Sequence, residues 1–506
     1  MTETIGTAGE AESSSALDRS GAPAHDLLFQ PARGWVGDVI PVERDGEFHL
    51  FYLHELRDDP KPGTAWSLVT TRDFVHFEDR GVSLPHGGAD EDDFNAYTGS
   101  VVHDDGVDHL FYTGHNPWRL GPDGVTPLQV VMHATSVDGM RTWVKHPEDT
   151  FGATEGFEPG DWRDPFVFRS EPEGEWRMLL AARHVDGPSR RRGTIAQLVS
   201  SDLRSWRPVA PFWDPRRYIA HECPDVFPWG AHWYLVSSEF SEDFTTRYRI
   251  ADSVDGPWRV PLHDSVDGRA FYASKSVERD GRRFFAGWIA SKEDSRDDGA
   301  YQWAGTMSVL EALQRDDGTL GFTLPEEVLA AFDEELPVVL HDESGAVDSR
   351  DEIRLAVPDG YAARLGAFDL PPVFSASVRF DIAEGTTECG ILLRSSADGD
   401  ESYVLRLEPT RNRMVLDRWP RRLTGPMQWQ ISGDVPFAVE LERPADLSPG
   451  EHRLDLIVDG SALVAVLDRS VALSARIYDR PTGRIGLFAG EGEVVFRDLR
   501  LRRRTT

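Results

Sequence analysis

The chain is predicted to be all-β, a five-bladed β-propeller followed by a C-terminal β-sandwich. Three observations carry this. A polar or aromatic residue followed by three or four bulky apolar ones recurs five times, a turn signal of Ser or Thr, Asp and an aromatic follows the first four copies, and alternating short strands fill the last third of the chain. The bland alternative for the first part is a sandwich with accidental internal similarity.

The five apolar runs are His49-Leu50-Phe51-Tyr52, His109-Leu110-Phe111-Tyr112, Arg177-Met178-Leu179-Leu180, Trp233-Tyr234-Leu235-Val236 and Arg283-Phe284-Phe285-Ala286. Aligned on Phe51, Phe111, Leu179, Leu235 and Phe285, they lie 60, 68, 56 and 50 residues apart. A continuous apolar strand is buried on both faces. A turn residue precedes most copies, as in Asp45-Gly46, Glu173-Gly174 and Asp280-Gly281. The second pattern reads Thr71…Asp73…Phe77, Ser136…Asp138…Trp143, Ser201-Asp202…Trp206 and Ser253…Asp255…Trp258. Asp suits such a turn because its side chain bonds the backbone two residues on. Each period then holds about four strands, the size of a propeller blade. Residues 326–345, beginning Glu326-Glu327, read as a linker between a propeller at 25–325 and a sandwich at 346–506. Strands are expected at Phe374–Phe380, Tyr403–Leu407, Arg413–Leu416, Arg453–Val458, Leu463–Leu467 and Gly483–Phe488.

Composition narrows the function. A net charge of −32 repels phosphate backbones and anionic membranes, so neither nucleic acid nor membrane is expected as a partner, and a neutral sugar fits better. The same charge also serves solubility alone. Two cysteines, Cys223 and Cys389, fall in different expected domains, which points to a reducing compartment and a cytoplasmic protein. Residues 1–24 lack a charged segment followed by an apolar run, so they read as a disordered tail without a signal peptide. No window is apolar for about 18 residues, the length that would span a bilayer.

In a propeller the first strand of each blade lines the central channel. Asp38 lies 13 residues before Phe51, Asp164 15 before Leu179 and Glu222 13 before Leu235. Three blades thus bring a carboxyl group toward one spot, where crowding raises one pKa and leaves a carboxylate beside a protonated acid. Glycoside hydrolysis needs that pair. Taken singly, Asp38 also reads as a turn residue, Asp164 as the partner of Arg163, and Glu222 as a surface acid. A metal held by carboxylates with His221 has no paired-His spacing behind it, so neither metal nor cofactor is expected.

The same segments resemble glycoside hydrolase family 32, the invertase, inulinase and levanase family. Phe29 to Asp38 is similar to its opening motif, Tyr97-Thr98-Gly99-Ser100 to its second, Trp162-Arg163-Asp164-Pro165 to its Arg-Asp-Pro motif, and His221-Glu222-Cys223-Pro224-Asp225 to its Glu-Cys motif. Phe271-Tyr272-Ala273-Ser274-Lys275, Gly287-Trp288, Val458-Asp459-Gly460-Ser461 and Ala475-Arg476-Ile477-Tyr478 resemble later segments. The resemblance implies a retaining hydrolase of β-fructofuranosides, with Asp38 as nucleophile, Glu222 as acid/base and Asp164 holding sugar hydroxyls beside Arg163. Trp66, Tyr97 and Trp303 are candidate wall aromatics, with Thr98, His54 and Tyr272 as further candidates for contact with sugar. The family's Asn before the nucleophile and its Gln after the first apolar run are replaced by Gly37 and Leu53, with His54 next to the latter as a candidate substitute donor. Two lost amides imply weak action on sucrose. Fructosyl transfer, including intramolecular dianhydride formation, stays open at this point. So do a non-catalytic carbohydrate-binding propeller, an inverting enzyme acting on arabinose or xylose, and a homo-oligomer built on the sandwich.

Overall fold

The computed structural model describes residues 25–170, 174–342, 345–348, 352–420 and 441–505. The expected tail, residues 1–24, lies outside them. Five antiparallel sheets of the propeller order follow one another. Blade I holds Trp35–Arg44, Glu47–Glu55, Ala65–Thr71 and Phe77–Leu84. Blade II holds Asn95–Asp104, Val107–Leu120, Pro127–Ser136 and Val144–Lys145, and blade III holds Phe157–Arg169, Trp176–His184, Gly193–Ser200 and Arg207–Pro208. Blade IV is Glu222–Trp229, His232–Glu239 and Thr245–Ala251, edged by a bridge from Ile250 to Arg259. Blade V is Phe271–Arg279, Arg282–Lys292, Tyr301–Gln314 and Leu320–Thr323. The ring closes where Val36 of blade I pairs with Gly305 of blade V. A side chain at Gly305 would stand 1.8 Å from the Ile289 carbonyl, so only glycine fits.

Every apolar run is the second strand of its blade, and its burial on both faces has a direct cause. In blade I, Leu50 and Tyr52 face one core while Phe51 and Leu53 face the next. Met178 and Leu180 likewise oppose Leu179 in blade III. Each blade is thus shared between two inter-blade cores. The Asp turns form as expected in blades I to III. Asp73 accepts from the backbone of Val75 and His76, Asp138 from Arg141 and Thr142, and Asp202 from Arg204 and Ser205. The hydroxyl of the third copy is that of Ser200, which binds Asp202 at 3.0 Å, rather than that of Ser201. In blade IV the turn is closed by Ser253 to Gly256, and Asp255 instead pairs with Arg177.

One irregularity recurs in all five innermost strands. Pairing with the second strand slips by one residue between Val36 and Val39, Tyr97 and Gly99, Arg163 and Phe166, Glu222 and Asp225, and Tyr272 and Lys275. These are β-bulges, which bend a strand and re-aim its side chains. Asp164, Cys223 and Ala273 there adopt left-handed φ of 58°, 50° and 53°. Asp38 and Asp164 sit within their bulges and Glu222 immediately before its own. The carboxyl groups therefore share a bulge rather than one strictly equivalent position.

The second domain is a β-sandwich organised around the long strand Arg484–Arg503, which pairs with Ile353–Asp369, Val373–Ile382 and Glu388–Ser395. The expected strands lie within Val373–Ile382, Ser402–Glu408, Arg413–Trp419, Gly450–Asp459, Ala462–Leu467 and Arg484–Arg503, except that Gly483 falls just before the last. Among the described residues of 326–345, read as linker, only Glu326–Ala330 is helical. Glu334–Leu336 pairs with Arg484–Arg503, and Val339–Asp342 pairs with Ile353–Asp369. The sandwich sheet thus begins at Glu334. Its joint to the propeller is buried and joins apolar and polar contacts, with Ile457, Val464 and Val466 in one core with Phe285, Leu310 and Phe322. Asp459 accepts from the backbone N–H groups of Asp26, Leu27 and Leu28, at 2.9, 3.0 and 2.7 Å, and Arg476 donates to the carbonyls of Ile289 and Ala290.

Candidate active site

The bulges of blades I to V aim their side chains at one place. Asp38 of blade I accepts a hydrogen bond from the Thr98 hydroxyl of blade II at 2.5 Å and another from the Trp288 indole of blade V at 3.0 Å. Glu222 of blade IV accepts from both Nε and Nη2 of Arg163, at 3.3 and 3.1 Å, and from the Tyr272 hydroxyl at 2.7 Å. Asp164 of blade III accepts the backbone N–H of Cys223 at 2.9 Å, and its own N–H donates to Thr113 at 2.8 Å. Cys223 also brings its thiol within 3.6 Å of Asp38. One residue therefore touches two of the three acids and adjoins the third.

Electrostatics follow from this packing. Burial pushes the Asp38 carboxyl up, the Thr98 and Trp288 donors pull it back, and nearby Glu222 adds to the rise. Glu222 is raised by burial against the pull of Arg163, with Asp164 adding to the rise and Tyr272 opposing it. Asp164 is raised by burial, opposed by Arg163 and reinforced by Asp38. Crowded acids lose protons in steps that belong to the set. Burial and mutual repulsion thus raise all three carboxyl groups, Glu222 acting on Asp38, Asp38 on Asp164 and Asp164 on Glu222. Arg163 is fixed from behind by Asp161 at 2.7 Å and Gln129 at 3.2 Å, and the acids hold it charged.

The other sequence candidates divide. Arg163, Thr98 and Tyr272 meet at the carboxyl cluster. Tyr97 is half-buried and stacks on His115 at 5.2 Å. Trp303 is 37% exposed and meets the Trp288 ring edge-to-face at 6.1 Å. Trp66, expected as a wall aromatic, is instead fully buried beside Phe51 and Tyr112 and donates to the Tyr97 carbonyl at 3.1 Å. Its large apolar ring serves the core between blades I and II. His54, expected as a substitute donor, has Nε2 on the Arg33 carbonyl at 2.7 Å and Nδ1 on Ser67 at 3.2 Å. Both nitrogens are committed to holding blade I. Leu53 is buried in the core, so its position faces no sugar. His221 lies between Trp213 and Tyr218, and burial pushes it down to about 3. Among the described residues no group of three His, Cys, Asp or Glu could hold a metal ion, and no helix is long and apolar enough to cross a membrane. Sequence reasoning missed the direct roles of Trp288 and Cys223, which stood inside quoted motifs, and the support from Gln129 and Asp161.

The hydrogen bonds predict a pH signature. With Asp38 as nucleophile and Glu222 as acid, a double displacement would need the first ionised and the second protonated, so the rate is expected to fall below the first pKa and above the second. Thr98→Val or Trp288→Phe removes a donor that lowers the Asp38 pKa, so the acid limb moves to higher pH. Tyr272→Phe removes a donor that lowers the Glu222 pKa, so the alkaline limb also moves to higher pH. Profiles of kcat/KM for the three variants read both limbs, and a shift toward lower pH in any of them contradicts the assignment.

The chain is similar to several known proteins. Sucrose-6-phosphate hydrolase of Escherichia coli is 29% identical over 315 residues, covering 58% of this chain and 63% of that protein. A levanase of Bacillus sp. (strain L7) is 26% identical over 507 residues, covering 92% of this chain and 50% of that protein. The chain thus spans less than two thirds of the length of either relative. The exo-inulinase of Aspergillus awamori superposes with a TM-score of 0.71 at 18% identity, covering 95% of this chain and 98% of that one, so the fold is the same. The family model described as Glycosyl hydrolases family 32 N-terminal domain matches residues 28–322, all five blades and more than half of the sequence, and the chain belongs to that family.

Proposed function

We propose that the protein is a retaining hydrolase of neutral β-fructofuranosides that works by double displacement. Asp38 attacks the anomeric carbon of the fructosyl unit while Glu222 gives its proton to the departing oxygen. Glu222 then takes a proton from water, the resulting nucleophile attacks the same carbon, and the Asp38 ester bond breaks. Asp164 accepts hydrogen bonds from ring hydroxyls, a role that fits its bulge between the other two acids. The observation that carries the reading is the different support of the two carboxyl groups. Asp38 is held by uncharged donors from two other blades, as a nucleophile must be kept ionised and still. Glu222 is raised by burial and by Asp164, while Arg163 and the Tyr272 hydroxyl donate to its oxygens and stabilise the carboxylate left once its proton is given up. A neutral substrate is favoured because Arg163 is already committed to Glu222, Asp161 and Gln129. A cytoplasmic setting fits two buried cysteines that form no disulfide.

The test is to offer sucrose, inulin, levan and an aryl β-fructofuranoside and follow the first product by NMR. Release of fructose as the β-furanose supports the reading. First release of the α-anomer, or no release from any of the four, overturns it.

A further inference from the structure

Gly37 precedes Asp38, and its reason for being glycine lies outside its own backbone. Its φ is not in the left-handed region, so the conformation suits any residue. The space does not. A Cβ atom at residue 37 would stand 2.5 Å from Cη2 and 2.8 Å from Cζ2 of Trp303, and 3.1 Å from Cβ of Leu53. The indole lies where a side chain at position 37 would begin. It remains 37% exposed and packs edge-to-face on Trp288, whose Nε1 binds Asp38. An apolar ring face thus stands beside the nucleophile in place of a polar side chain.

Two sets of contacts fix that ring. Arg57 binds the Trp303 carbonyl at 2.8 Å, the Gln302 side chain at 2.5 Å and Ser291 at 2.8 Å, while its guanidinium lies 3.9 Å above the Trp35 ring. The loop leading into Trp303, residues 293–300, is tied to the second domain. Asp297 accepts from the Tyr403 hydroxyl at 2.6 Å, from the Tyr478 backbone N–H at 2.7 Å and from Arg418 at 3.3 Å. Lys292 donates to the Asp297 carbonyl at 2.7 Å.

We propose that Gly37 and Trp303 form one specificity-determining unit, set in place by the sandwich through Asp297. The indole packs against the C–H face of the fructosyl unit on the side where a residue at 37 would have offered hydrogen bonds. The site then selects β-fructofuranosides by apolar contact there. The inference rests on the fructosidase reading for its substrate, whereas the Gly37–Trp303 contact stands on its own.

A double-mutant cycle tests it. Gly37→Ala should lower both Tm and kcat/KM, the latter by about 100-fold, because the new methyl meets a ring that cannot yield without breaking its packing. In a Trp303→Ala background the same change should cost less than about threefold and leave Tm where that background has it. Trp303→Ala alone should raise KM about tenfold, more than it alters kcat. Tyr403→Phe should raise KM in the same sense, and that effect should vanish when combined with Trp303→Ala. Equal damage by Gly37→Ala in both backgrounds, or none in either, overturns the proposal. The Tm arm needs no turnover. If no fructoside is cleaved, the functional reading fails while the steric unit is still judged by melting.

Discussion

Replacing Asp38 with asparagine is expected to leave a folded protein whose turnover of β-fructofuranosides falls by at least about 10⁴-fold. The amide matches the carboxylate in shape but cannot form the glycosyl ester, so no intermediate accumulates. Thr98 and Trp288 both donate to Asp38. The asparagine carbonyl can accept only part of what two carboxylate oxygens accepted, yet the substitution also removes an acid that burial pushes up. These opposing terms should leave Tm close to that of the parent. Initial rates beside thermal melting check it, and a variant with more than a tenth of parental turnover would exclude Asp38 as nucleophile.

Glu222→Gln should be the second large loss, and its size should depend on the leaving group. Proton donation by a positioned acid contributes on the order of 10² to 10⁴-fold. A sugar alkoxide needs that proton, so hydrolysis of fructans should fall by about that factor. An aryl β-fructofuranoside with an acidic phenol leaves without help, so its first step should be nearly spared. The second step still lacks its base, and added azide should then restore release as the fructosyl azide. Equal loss on both substrates, with no azide response, would move the acid/base role elsewhere.

The legible parts of the fold were those written in short stretches of chain. Phe51 and Leu53 point to one core and Leu50 and Tyr52 to another, so the second strand of blade I is apolar at four successive positions and announces itself. The Asp73, Asp138 and Asp202 turns were equally local. Strands Glu334–Leu336 and Val339–Asp342 were not, because the first finds its partner some 165 residues later, at Leu501 to Arg503. The meeting of Asp38, Asp164 and Glu222 was legible through their spacing and their motifs. Trp66 and His54 were misread because a strand residue's direction depends on register. Trp66 pairs with Leu53 and Leu84, deep between blades, and His54 faces Arg33 and Ser67. Trp288 reaches Asp38 across 250 residues of sequence, a contact no pattern along the chain encodes. Gly37 stood out as a departure, but only the position of Trp303 gives it a reason.

At its bulge every innermost strand carries one residue more than the strand beside it, and the clustered polar side chains are gathered at that surplus. Asp38, Thr98 and Asp164 fall inside the slipped step, and Glu222 and Tyr272 stand at its edge. The backbone ladders on either side do not pair through these side chains, although Trp288 of a second strand binds one of them. The propeller therefore separates what it is made of from what it does. Its reactive groups can be exchanged blade by blade with little disturbance to the pairing that holds the ring closed. Selection acting on substrate range can alter the mouth of such a ring while the frame behind it keeps its architecture.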